Sequence, residues 1–242
     1  MRKVLPTEKF FIDGPVGPIE ILRDTPEGAH GLAIIAHPHP LFGGTNTNKV
    51  AHTLARTLCG LGYCALRPNF RGVGGTAGTH DHGDGESEDL LAVIDWAQAP
   101  RETPGRPKFP DTPSGGGSPH GGEAGGAGFG DGPLVLAGFS FGAFVQTRVA
   151  KRLAAAGRPA KRLVLVGTAS GFIEGARTYD TEAVTPDTIV IHGNRDETVP
   201  LENVLAWAEP LQVPVVVVPG ADHFFHTRLH ILRDIIVRAW RE

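Results

Sequence analysis

Two cysteines, one methionine and no long apolar run narrow this 242-residue chain by subtraction. So little cysteine argues against a disulfide framework. Cys59 and Cys64 flank a predicted helix-to-strand turn, CGLGYC, and read as buried reduced thiols. No stretch approaches the roughly 20 apolar residues of a membrane-spanning helix. The start, MRKVLPTEKFFIDG, is basic but lacks the continuous apolar core of a secretory signal. An excess of one charge is also missing, and a net charge of −3 gives no electrostatic case for nucleic acid or an acidic membrane as partner. The expectation is a soluble cytoplasmic protein with neither of those partners. The composition carries no signal of oligomeric state.

What is present is apolar material in short, punctuated runs. Hydrophobic residues make up 40% of the chain, enough for a sizeable core. KFFID and PIEILRD alternate in polarity around GPVG and predict an antiparallel hairpin. Strand-like runs then follow: GLAIIA, YCALRPNF, PLVLAG, KRLVLVG, DTIVIHG and PVVVVPG. Between them lie segments with helical spacing: NKVAHTLARTLCGLG, ESEDLLAVIDWAQA, FGAFVQTRVAKRLAAAG and LENVLAWAEPL. HTRLHILRDIIVRAW reads as a last helix from residue 226. Strands apolar on both faces and alternating with helices predict the α/β class. The sheet should have about eight mostly parallel strands, an N-terminal antiparallel hairpin and helices on both faces, in one domain over residues 1–242. Residues 100–132 break the pattern, because a run this rich in Pro and Gly reads as a flexible insertion. It follows a helix and precedes a strand, so its ends belong to the sheet edge away from the strands' carboxyl ends, which argues against a lid.

With 33 glycines in the chain, the Gly-x-Ser-x-Gly of GFSFG is weak as a bare match. Its placement is stronger. Ser140 falls where a strand ends and a helix begins, a turn that pushes a hydroxyl out of the sheet and needs small residues at 138 and 142. A serine nucleophile needs a base and an acid that orients the base. HGNRDETVP puts Asp196, and GADHFF puts His223, just past later strands. All three residues therefore belong to the carboxyl edge of a parallel sheet, where such sheets build sites. Their order, Ser–Asp–His, is that of one fold among several carrying this chemistry. Glu197 and Asp222 compete with Asp196, and His226 and His230 with His223. Asp222 reads as a turn residue, while His226 and His230 read as the first turns of a helix. His37 and His192 read as structural.

On these residues, together with HPHPLFGGTNTNKV and NFRGVGGTAG, the chain resembles the α/β-hydrolase superfamily, near the small lidless dienelactone hydrolases. Those enzymes carry cysteine at the elbow, whereas Ser140 here favours a serine esterase of small soluble, short-chain esters that requires no metal or organic cofactor; the alternatives are a thioesterase, lactonase or peptidase on the same triad, or a non-catalytic binding protein of the same fold. The resemblance implies an oxyanion hole made by the Phe141 N–H and a donor from the loop after the third strand. Pro38 and Pro40 have no N–H, which leaves His39 or Leu41. Phe42, Phe70, Phe141, Phe172 and Phe224 fall near the upper loops and could line an acyl pocket. Asn69 and Arg71 read equally as loop braces or substrate contacts. HDHGDG at residues 80–85 lacks the last histidine of a metallohydrolase run and reads as a polar loop.

Overall fold

The computed structural model describes residues 3, 4, 6–99 and 132–240. The insertion expected at about 100–132 falls outside the described residues, apart from its final glycine. In chain order the elements are β1 (Glu8–Gly14), β2 (Gly17–Asp24), β3 (Gly31–Ala36), α1 (Lys49–Gly60), β4 (Tyr63–Pro68) and α2 (Asp84–Gln98). Then come β5 (Leu134–Phe139), α3 (Phe141–Ala155), β6 (Arg162–Val166), β7 (Gly171–Phe172) and β8 (Thr178–Tyr179). The last are β9 (Ile189–Gly193), α4 (Leu201–Ala208), β10 (Val215–Val218) and α5 (Leu229–Ala239).

Eight strands form one sheet in the order β1-β2-β4-β3-β5-β6-β9-β10. The hairpin β1–β2 joins β4 antiparallel, and every pairing from β4 to β10 is parallel. Residue alternation divides the core between two faces. Leu32, Ile34 and Leu136 point to the layer that holds α2, α3 and α4, whereas Ala33, Ile35 and Ala137 point to α1 and α5. Both faces are dry, which is why these strands read as unbroken apolar runs rather than as alternating ones. Cys59 and Cys64 are free and buried, and burial pushes their thiols up to about 12 and about 11.

Three boundaries differ from the sequence pattern. The strand expected through Phe70 ends at Pro68, because Phe70 N–H turns to a side chain, His37 Nε2, at 2.9 Å. The helix expected from Glu86 starts at Asp84, because the buried Glu86 carboxylate reaches back to Gly83 N–H and Asp81 N–H. The last helix starts at Leu229, not at His226, since Phe225 and Thr227 sit at φ 52° and 60°. The short β7–β8 hairpin was not visible at all, for two-residue strands carry no periodicity.

Candidate active site

The centre of the site is the turn from β5 into α3. Ser140 has φ 57° and ψ −120°, a strained conformation for a residue with a side chain. It is held by its own N–H on Val166 O at 2.9 Å and by its carbonyl, which accepts from Ala143 and Phe144. The flanking glycines are steric necessities. A Cβ at Gly138 would stand 2.4 Å from Gly142 O, and one at Gly142 would stand 2.4 Å from both Ala36 O and His37 O. The α3 N-terminus thus packs on the end of β3 with only a hydrogen atom to spare.

The loop after β10 brings His223 over this turn. Its Nε2 lies 3.0 Å from Ser140 Oγ, and its Nδ1 lies 2.7 Å from Asp196 Oδ2. With the Nδ1 proton given to the carboxylate, Nε2 is the acceptor for the serine hydroxyl. Asp196 is fully buried at its side chain, and its Oδ1 accepts the N–H groups of Thr198 (2.9 Å) and Val199 (2.8 Å). The carboxylate is therefore fixed by backbone before it meets the imidazole. The rivals are elsewhere: Glu197 is exposed, and Asp222 is spent on His226, through N–H at 3.0 Å and Nδ1 at 2.7 Å. His192 is buried against Val199 O, and burial holds its imidazole below the ordinary value.

The loop after β3 packs on the serine's turn, with the His39 ring 4.8 Å from that of Phe141. Phe141 is the first residue of α3, so its N–H has no intrahelical partner. His39 N–H makes no backbone hydrogen bond among the described residues. Leu41 does not share that position, because its N–H donates to His39 Nδ1 at 3.2 Å and its side chain is exposed. His39 is held by rings: Phe141 at 4.8 Å, Phe42 at 4.7 Å and His80 at 4.7 Å. Burial, and then the neighbouring His80, lower the His39 imidazole to about 4, which suits an Nδ1 that accepts. His80 in turn stands 2.7 Å from the buried Glu86 carboxylate. Pattern reading missed this His80–Glu86 support beside the loop after β3. Its signal was the HDHGDG run, whose histidines do lie beside the site but are engaged by Glu86 and by ring contacts. Among the described residues no group of three or more His, Cys, Asp or Glu is disposed to hold a metal ion.

The other expectations divide. Phe42 and Phe224 are exposed on the loops after β3 and β10, and Phe172 is exposed at the end of β7. Phe70 is not a pocket residue: it is buried, with its ring 4.5 Å from His37 and 5.5 Å from Phe141. Phe141 is likewise buried, between Phe70 and Phe144. Asn69 and Arg71 brace loops. Asn69 accepts from Asn46 N–H and donates to Glu20, and Arg71 makes two bonds to Asp89.

Comparison with known proteins places this geometry among relatives. Residues 19–158 match the family model of the X-Pro dipeptidyl-peptidases (S15 family), and residues 127–218 match that of the thioesterase domain. The chain is similar to an α/β serine hydrolase homologue from Coxiella burnetii, at 34% identity and a TM-score of 0.75, covering 99% of this chain and 100% of that one. A lidless α/β serine hydrolase from Xanthomonas campestris is 33% identical with a TM-score of 0.74, over 98% of this chain and 95% of its own. An uncharacterized protein of Rickettsia prowazekii is 30% identical over 229 residues, 90% of this chain and 82% of its own length.

Proposed function

Since the chain belongs to the α/β-hydrolase superfamily, among its serine hydrolases, we propose that it cleaves small carboxylic esters through an acyl-enzyme on Ser140. The observation that carries this reading is the continuous hydrogen-bonded chain from Ser140 Oγ through His223 to the buried Asp196. In the first half-reaction Ser140 Oγ attacks the ester carbonyl carbon while His223 Nε2 takes its proton. Asp196 keeps the ring in the tautomer that accepts and stabilises the imidazolium as it forms. The carbonyl oxygen, now negative, is held by the N–H groups of Phe141 and His39, two fixed donors that need no reorganisation as charge develops. His223 then gives its proton to the departing alcohol oxygen and the acyl-enzyme forms. Water, deprotonated by the same imidazole, attacks the acyl carbon and frees Ser140. No step calls on a metal or organic cofactor.

Only about twenty residues separate β6 from β9, and they hold nothing larger than the β7–β8 hairpin. An open mouth of this kind favours small soluble esters with short acyl chains. The match to the thioesterase model supports a second reading on the same residues, since a thioester presents the same carbonyl to the same donors.

A fluorophosphonate probe should label Ser140 and no other serine, and the label should disappear in Ser140→Ala. Turnover of p-nitrophenyl esters of increasing chain length, beside matched thioesters, measures the substrate class. A folded protein that takes no label overturns the nucleophile assignment. A thioester preferred by more than about a hundredfold in kcat/KM replaces the ester reading with the second one.

A further inference from the structure

Between the loop after β3 and the loop after β10 lies a cavity of about 390 Å³ that the chemistry at Ser140 leaves unused. One wall is Gly43, Thr45, Thr47 and Lys49, and the other is built by Phe224 and His226. These are the loops that carry the proposed oxyanion donor His39 and the base His223. Phe224 joins the two places directly, with its ring 5.1 Å from the His223 ring while it lines the cavity.

The direction of reaction assigns the cavity to one arm of the substrate. His223 must hand its proton to the leaving oxygen, so the alcohol arm departs past the histidine, and the acyl arm takes the opposite side. Beyond His223 the alcohol meets Phe224 and then the cavity.

The polar side chains lining it are Lys49, three threonines, Asn48 and His226, and Lys49 is the basic one that stays charged at neutral pH. Lys49 is exposed to the cavity and its ammonium forms no ion pair among the described residues. Thr45 and Thr47 share one hydrogen bond between hydroxyls 2.8 Å apart, so one of their two hydroxyl hydrogens is left to donate. Asp222 keeps its negative charge but does not line the cavity, and both of its oxygens are bound by His226, through N–H and Nδ1. Thr227, a β-branched residue at φ 60°, keeps the second wall in a conformation that costs energy unless its surroundings impose it.

We propose that this cavity is a subsite for an anionic group, carboxylate or phosphate, on the alcohol arm of the ester. The inference rests on the ester-hydrolase reading and names its substrate class: esters whose alcohol portion carries a negative charge a few bonds from the cleaved oxygen. Lys49 is the specificity-determining residue and touches neither the carbonyl nor the serine.

The test compares acetate esters that differ only at the far end of the alcohol: γ-hydroxybutyrate, its uncharged amide, and propanediol monophosphate. Methylenes insulate the cleaved oxygen, so a difference in kcat/KM reports the distant charge. The native protein should prefer the charged esters over the amide by about tenfold, the effect of one partly solvated cation. Which charged ester is faster distinguishes carboxylate from phosphate. Lys49→Met should bring the ratio to within about threefold, and Lys49→Glu should reverse it. A ratio near one in the native protein, or one that survives Lys49→Met at an unchanged melting temperature, overturns the proposal. If no ester is turned over, the ester reading fails by itself and the subsite is read from binding. Free γ-hydroxybutyrate should then shift the NMR signals of the native protein more strongly than its amide does, and lose that advantage in Lys49→Met. Equal shifts overturn the subsite.

Discussion

Asp196 and Asp222 each hold a histidine, at 2.7 Å in both pairs, yet their surroundings give them different roles. Asp196 is buried and aligned by two backbone N–H groups, whereas the Asp222–His226 pair is exposed at both partners. An exposed pair of this kind contributes little, because water and salt compete for both charges. Asp196→Asn should therefore keep the fold, since its amide oxygen still serves Thr198 and Val199, but present an NH₂ to His223 Nδ1. That forces the other tautomer and takes the acceptor away from Ser140. The expected loss in kcat is about a thousandfold to ten-thousandfold, against less than about threefold for Asp222→Asn. Ester kinetics on both variants with matched circular dichroism decide it, and the reverse ranking would move the acid to Asp222. The sequence pattern already favoured Asp196, with Asp222 read as a turn residue. What the fold adds is the meeting itself, since the Asp196 carboxylate, aligned by the N–H groups of Thr198 and Val199, reaches His223 on another loop.

At the scale of elements, the functional contact is the α3 N-terminus against the end of β3. Gly142 is the spacer, and the atoms it faces, Ala36 O and His37 O, are backbone and cannot swing aside. Gly142→Ala must push the helix away from the strand and with it Phe141 N–H, the proposed oxyanion donor, away from the end of β3. The expected cost is about 1–3 kcal/mol of stability, with a fall in kcat larger than the change in KM. Gly157→Ala is the control, because that glycine has φ 73° but nothing within 4 Å of its would-be Cβ. It should lose stability through backbone strain alone and leave kcat in place. Denaturant titration and steady-state kinetics on the pair make the comparison, and equal kinetic effects would remove the spacer argument. The elbow was legible because strand, serine, glycines and helix are contiguous. The His80–Glu86 support was not, since it forms only where the loop before α2 folds back under a loop from β3.

The whole molecule feels pH through its buried imidazoles, His37 most directly. His37 is fully buried, its Nε2 accepts from Phe70 N–H, and its Nδ1 is 2.7 Å from Pro38 O. Both bonds need the neutral ring with Nδ1 protonated. Burial, opposed by the Pro38 carbonyl and assisted by His39, lowers this group to about 4. The unfolded chain, with histidine near 6.5, therefore binds the proton first as pH falls. His37 stabilises the fold fully above about pH 6.5, and this contribution is lost progressively towards pH 4, by about 3 kcal/mol in all. Urea unfolding between pH 7 and pH 4 should show this decline, and His37→Gln, which retains an acceptor for Phe70, should make it shallower by the His37 share, leaving that of His39 and His192. Superimposable slopes would mean that the ring is already solvated in the native state. The same span of β3, its loop and the β4 loop holds His39, so acid unfolding and loss of the proposed oxyanion donor should coincide.

By itself the sequence determined the element order, the α/β class, and the arrival of Ser140, Asp196 and His223 at strand ends in that order. These features are local: periodicity, turn residues and the alternation of a parallel sheet act within a few residues of one another. The tertiary structure alone set the contact itself, with the Asp196 carboxylate 2.7 Å from His223 Nδ1. It likewise decided that Phe70 lies in the core, and that Lys49 and Phe224 border one cavity. Each of these outcomes depends on the direction of a side chain or N–H toward a residue far away in the chain. That direction exists only once the sheet has brought its loops to one edge.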